Sequence, residues 1–81
     1  MTLTKIFRNL KIIEVFKTNV QTEAEAEELL ALVHNSYIDI MANFDLVDCD
    51  KVLRVKGSWE DIKHIPALFI QHGFQCETLP D

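Results

Sequence analysis

The residues best suited to chemistry in this chain are two cysteines, Cys49 and Cys76, and one histidine, His72. Thiolate sulfur and imidazole nitrogen are ligands that favour copper(I) and zinc. The cysteines stand 27 residues apart and form no CxxC motif, so they would have to converge from separate elements. Because zinc takes about four ligands, the set is incomplete. We predict no metal centre and retain Cys49, His72 and Cys76 as the ligands that a divergent site would use.

Each of these three residues also has a structural explanation. Cys49 lies between two aspartates, whose negative charge opposes thiolate formation. Cys76 falls in a short segment of strand character, where a cysteine behaves as a small hydrophobic residue. His72 directly precedes Gly73 at a predicted helix end, where an imidazole can bond the last carbonyls of the helix. We therefore expect structural roles for all three side chains.

Patterns typical of enzymes and of nucleotide-binding proteins do not occur in the sequence. Ser36, Ser58 and Thr18 lack a histidine–acid pairing in sequence that would activate their hydroxyl groups. The glycine-rich phosphate-binding motifs and the H-E-x-x-H zinc motif are also missing from the sequence. We predict that the chain is not an enzyme and uses no cofactor.

Charge and composition exclude further classes of protein. The chain has 81 residues, a net charge of −5 and a hydrophobic fraction of 48%, which suits one domain with a modest core. Residues 18–50 carry eight acidic side chains and no lysine or arginine, so phosphate backbones and anionic membranes would repel them. No apolar run reaches the ~20 residues that span a bilayer. With no signal peptide at the start, we expect a cytoplasmic protein.

The first half of the chain predicts a strand, a helix and a second strand. Residues 11–18 are rich in β-branched and aromatic side chains, and Ile13 and Val15 share one face, which we expect to point inward. Thr22 and Glu25 have the spacing of a capping box, which predicts a helix over residues 22–35. From Ile38 to Leu46 apolar and polar residues alternate, as in a half-buried strand.

The second half predicts a hairpin partner, a second helix and a last strand. The stretch KVLRVK from Lys51 resumes a strand after a short polar turn, which indicates an antiparallel hairpin. Helical spacing then runs from Ser58 to Gly73, with Pro66 inside it, so that the helix either kinks there or has an irregular first turn. The final FQCETL is a short strand.

This order of elements, β-α-β-β-α-β, predicts an α+β, ferredoxin-like fold: a four-stranded antiparallel sheet with two helices on one face. We expect residues 1–10 to form an N-terminal arm and residues 11–81 a single domain. The opposite sheet face has no predicted helix, and strand alternation assigns Phe16, Met41 and Val52 to it. An exposed apolar set of this kind is a common docking surface.

Residues 11–79 resemble the heavy-metal-associated domains of copper chaperones and metal-transporting P-type ATPases. The resemblance is carried by NFDLVDCDKVLRVKG, from Asn43, and by IPALFIQHGFQCETL, from Ile65. It implies the ferredoxin-like fold and function through contacts between small domains. In that family the loop after the first strand carries a metal-binding CxxC pair, but the matching FKTNVQTE from Phe16 has no cysteine. The family's metal site therefore does not transfer to this chain.

We accordingly expect a non-catalytic interaction module that acts by self-association, as in a homodimer, or by docking on a protein partner. Phe16, Met41 and Val52 would form its interaction surface. A first alternative is metal handling by a divergent site. A second is a small-molecule sensor of the ACT type, which shares the topology and binds ligand between two copies. The second is disfavoured because residues 17–23 contain none of the glycines common in such loops.

Overall fold

A computed structural model describes residues 11–47 and 49–79; the predicted arm, residues 1–10, lies outside the described residues. The elements follow the predicted order, with the second helical region divided in two. In chain order they are β1 (Lys11–Thr18), α1 (Glu23–Ser36), β2 (Met41–Asp45), β3 (Val52–Ser58), α2 (Trp59–Ile62), α3 (Ile65–Gln71) and β4 (Cys76–Thr78).

The four strands form one antiparallel sheet in the order β2-β3-β1-β4. The long central strands β1 and β3 pair from Lys11 opposite Ser58 to Phe16 opposite Leu53. The short strands β2 and β4 lie at the two edges. The predicted α+β class with a four-stranded antiparallel sheet is confirmed, and the arrangement is compatible with the ferredoxin-like fold.

The predicted capping box opens α1. The Thr22 hydroxyl accepts a hydrogen bond from the Glu25 backbone N–H at 3.1 Å, and the Glu25 carboxylate accepts one from the Thr22 N–H at 3.2 Å. Two backbone donors that the helix itself cannot satisfy are thereby paired. The buried side chains Ala26, Leu29 and Val33 lie on one side of the helix, as the predicted stripe requires.

Pro66 explains why the second helical region is divided. The proline lies in the first turn of α3, where its missing N–H costs no helical hydrogen bond. At the other end Gly73 has a φ of +87°, a conformation that glycine adopts without steric cost. There the Phe74 N–H donates to the Phe69 carbonyl and the Gly73 N–H donates to the Ile70 carbonyl, both at 3.0 Å. These two bonds form a Schellman motif that ends the helix.

The core lies between the helices and one face of the sheet. Buried side chains from α1, α2 and α3 pack with those of the strands into one cluster, which includes Phe16, Leu29, Leu53, Val55, Ile62, Phe69 and Cys76. Directly paired residues of antiparallel strands point to the same side. Since Phe16 is opposite Leu53, and both belong to this cluster, the helices cover this face; we call it the covered face.

Candidate functional site

Three loops meet at the end of the sheet where β1 stops. The Thr18 hydroxyl donates to the Lys51 carbonyl at 2.7 Å, and the Thr18 N–H donates to the Asp50 carbonyl at 3.0 Å. The Asn19 side-chain oxygen accepts the Gln75 N–H at 2.8 Å. The loop after β1 is therefore tied both to the β2–β3 hairpin and to the segment before β4.

The three candidate metal ligands do not form one site at this end of the sheet. Cys49 is exposed and lines a small polar cleft with Lys17, Asp50 and Glu77. Cys76 is buried in the core cluster. His72 is exposed, and its Nδ1 lies 2.9 Å from the Leu68 carbonyl, a bond to the end of its own helix of the kind expected from sequence.

Burial makes Cys76 a poor ligand. Desolvation in the core, and secondarily the adjacent Glu77 carboxylate, raises the pKa of its thiol from 9.0 to about 12. Metals bind the thiolate, which such an environment disfavours. Within residues 11–47 and 49–79, no three histidine, cysteine or acidic side chains are grouped so that they could hold a metal ion.

The other face of the sheet, which we call the open face, lies opposite the core. Its side chains stand in rows across β2, β3 and β1: Met41–Lys56–Ile13, then Asn43–Arg54–Val15. No described helix covers these rows. Ile13 and Met41 are 67% and 69% exposed. They lie on either side of Lys56 in the register of the strands, and all three residues line a depression of about 320 Å³. This is a mixed apolar and cationic surface.

Of the three residues predicted for this face, Phe16 lies on the other one. Phe16 is 2% exposed and lies on the covered face, while Ile13 and Val15, which we expected to point inward, lie on the open face. The reason is that Ile12, Phe16 and Thr18 share one side of β1, and burying a phenylalanine removes more apolar area from water than burying a valine. Met41 is on the open face as predicted.

Val52 has the predicted orientation but little exposure. It is paired with Asp45 and alternates with Leu53 of the core, so it points to the open face. It is nevertheless only 3% exposed. Val52 therefore offers almost no surface to a partner, and the exposed apolar pair of this face is Ile13 with Met41. Ile13 could have been found from sequence by treating Ile12 and Phe16 as the inward pair.

The open face carries an excess of positive charge. Arg54 pairs with Asp45 at 3.8 Å and Lys17 with Glu77 at 3.6 Å, all four on this face. In the described part of the chain, Lys56 has no ion-pair partner. Lys56 lies between Ile13 and Met41 in the register of the strands. The basic residues on this side of the described strands, Lys11, Lys17, Arg54 and Lys56, outnumber the acids Asp45 and Glu77, although the chain as a whole is acidic.

A second surface, which sequence reasoning missed, runs between α1 and the outer edge of β2. We call it the acidic groove; its floor is formed by Ala26, Leu30, Phe44 and Leu46, and Glu23, Glu27 and Val47 stand at its rim. Val47 is 97% exposed. The signal was present in the sequence as the run of acids from Glu23 to Glu28, residues that also suit the positive end of a helix.

Two wider findings complete the description. In the part of the chain that is described, none of the helices combines the length and apolar character needed to cross a membrane. Comparisons with protein-family models, with curated proteins and with solved structures found no match to this chain.

Proposed function

We propose that this chain is a small, non-catalytic interaction module of ferredoxin-like topology, which acts by self-association or by docking on another protein through its open face. The topology is supported by the strand order β2-β3-β1-β4, with α2 and α3 together forming the second helical connection. The heavy-metal-associated resemblance and the cytoplasmic location belong to the same proposal.

One observation carries the proposal: Ile13 and Met41 are more than two-thirds exposed on a face that no described helix covers. Single exposed apolar residues are ordinary on protein surfaces. Here two of them lie in one row, in register with the same lysine. An apolar centre with polar surroundings is the usual composition of a protein-binding patch.

The alternatives lack a comparable observation. Metal handling would need the Cys76 thiolate, whose formation burial opposes. A titration of the reduced protein with zinc(II) and copper(I) tests this directly, and stoichiometric binding tighter than micromolar would revive the metal hypothesis. For an ACT-like sensor, nothing in the described residues marks a small-molecule site between two copies.

The proposal is tested with Ile13→Glu and Met41→Glu, which place a carboxylate at the centre of the open face. Ile70→Glu is the matched control, because Ile70 is 64% exposed but lies on α3. Light scattering over a range of concentrations reports self-association, and affinity capture reports other proteins. We expect the open-face variants to weaken binding at least about tenfold, a change of about 1.4 kcal/mol.

The control should behave as the wild type in both measurements. All three variants should retain the wild-type circular dichroism, because each replaces an exposed side chain. If neither the oligomeric mass nor any captured protein depends on Ile13 and Met41, the open face is not the functional surface and the proposal is wrong.

A further inference from the structure

The open face and the acidic groove have opposite charge and are both partly apolar. Glu23 and Glu27 stand at the rim of the groove, and their carboxylates have no ion-pair or hydrogen-bond partner among residues 11–47 and 49–79. No lysine or arginine occurs anywhere in residues 18–50, so nothing on α1 or β2 neutralises them. On the open face, Lys56 and Lys11 have no ion-pair partner among the described residues.

We propose that the open face of one copy of this chain binds the acidic groove of a second copy. This inference rests on the proposed function and names the partner. Charge complementarity identifies a second copy as the partner. Each surface presents unpaired charge of one sign beside exposed apolar side chains, and every copy of the chain has both surfaces. Complementary potentials of this kind select partners and orient their encounter.

The shapes of the two surfaces also fit. Val47 is almost fully exposed at the rim of the groove, beside the apolar side chain Leu30. The open face offers a depression whose lining includes Ile13, Met41, Asn43 and Arg54. Val47 of one copy would enter this depression, and Lys56 beside it would then approach Glu27 of the other copy.

Symmetric pairings of the same surfaces are disfavoured by charge. Two open faces in contact would bring Lys56 and Arg54 of each copy together, and the two acids of that face already pair with Arg54 and Lys17. Two grooves in contact would place Glu23 and Glu27 against their counterparts. Like charges juxtaposed at an interface cost several kcal/mol. The head-to-tail arrangement avoids both repulsions.

Head-to-tail binding leaves one free surface of each kind on every assembly. Assembly then continues unless the copies close into a ring. We expect the average mass to rise with concentration beyond that of a dimer. We also expect it to fall in high salt, because the Debye length shortens from about 8 Å at 0.15 M to about 3 Å at 1 M.

The decisive experiment uses the charge reversals Lys56→Glu and Glu27→Lys, measured by sedimentation equilibrium. Each variant alone should self-associate at least tenfold more weakly than the wild type, because its own two surfaces then carry the same charge. Mixed together, the two variants should associate again, since each then meets a complementary surface. The chain that carries both substitutions should recover most of the wild-type association.

Glu28→Lys is the control for Glu27→Lys. It makes the same charge change at the next residue of α1, but Glu28 does not line the groove. Both substitutions remove an acid near the positive end of the helix, so the two variants should unfold at the same urea concentration. Glu28→Lys should retain wild-type self-association.

The outcomes separate this inference from the proposed function. If Lys56→Glu and Ile13→Glu weaken association while Glu27→Lys leaves it unchanged, the open face binds something other than the groove, and only the inference fails. If neither Lys56→Glu nor Ile13→Glu weakens self-association, the inference fails, and the proposed function fails with it when these variants also leave the capture of other proteins unchanged. A wild type that remains monomeric up to about 1 mM also overturns the inference, whereas affinity capture then decides the proposed function.

Discussion

The two faces of strand β1 differ far more in environment than in sequence. The covered face presents Ile12 and Phe16, and the open face presents Ile13 and Val15, so each has two large apolar side chains. Yet Phe16 is 2% exposed and Ile13 is 67% exposed. The helices, not the local sequence of the strand, create this difference, because only one face receives the apolar sides of α1 and α3. Apolar residues in a strand therefore do not by themselves identify the core.

The difference between the two faces is tested most directly by removing one large side chain from each. Phe16→Ala should lower the free energy of unfolding by about 3–5 kcal/mol, the usual cost of truncating a buried phenylalanine. Ile13→Ala should cost less than about 1 kcal/mol, the span of strand propensities. Urea denaturation of both variants measures the difference. Equal losses would show that the open face is covered in solution.

Neighbouring residues of β3 allow a second comparison at smaller scale. A Cβ added at Gly57 on the covered face would lie 2.9 Å from Cγ1 of the buried Ile40, which must move to accommodate it. We expect Gly57→Ala to cost about 1–3 kcal/mol, the usual penalty of overpacking. Lys56→Ala, one residue earlier on the open face, should change stability by no more than about 0.5 kcal/mol. Thermal unfolding distinguishes these values; a neutral Gly57→Ala would mean that Ile40 is loosely held.

Elements with strong local signals could be predicted from the sequence. The capping box at Thr22 and Glu25 and the stripe through Leu29 and Val33 predicted α1 to within one residue at each end, because its start and its buried side are both decided by nearby residues. Gly73 likewise marked the end of the second helical region. In contrast, Ile38 belongs to a turn and is 92% exposed, although alternation extended β2 to include it.

The candidate surface was harder to predict because it depends on tertiary contacts. Alternation shows which residues of β1 share a face, but it cannot show which of the two faces the helices will cover. Phe16 was therefore assigned to the wrong side, while Met41 was assigned correctly from the hairpin. The acidic groove depends on the position of α1 beside the edge of β2, which brings residues that are distant in sequence, such as Glu27 and Val47, into the lining of one groove.

The two cysteines allow a third comparison, in which the pH dependence of stability distinguishes a buried thiol from an exposed one. The folded-state pKa of the Cys76 thiol is raised to about 12, above its ordinary 9.0. The unfolded chain therefore ionises first, and the stabilising effect of the neutral buried thiol is complete below pH 9 and is lost as the pH rises toward 12. Between pH 9 and 10 this should remove about 1 kcal/mol of stability.

The measurement is urea denaturation under reducing conditions at several alkaline pH values. Cys76→Ala should show a smaller loss of stability over this pH range than the wild type. Cys49→Ala should show the wild-type loss, because Cys49 is exposed in the folded chain. A thiol reagent should accordingly modify Cys49 rapidly and Cys76 only after unfolding. Rapid modification of both thiols in the native protein would contradict the burial of Cys76.

The smallest expected effect concerns the ion pair between Arg54 and Asp45, whose strength depends on how fully the open face is exposed to solvent. The charged atoms are 3.8 Å apart, and the two side chains are 52% and 39% exposed. Exposed pairs of this kind contribute about 0.2–1 kcal/mol, so the coupling energy of the cycle Arg54→Ala with Asp45→Ala should lie in that range and fall further in 1 M salt. A coupling energy well above this range requires that the pair be desolvated. A coupling energy of about 2 kcal/mol, measured in dilute monomer, would therefore show that the chain itself covers the open face. The same value appearing only at high concentration would instead place a second molecule on that face.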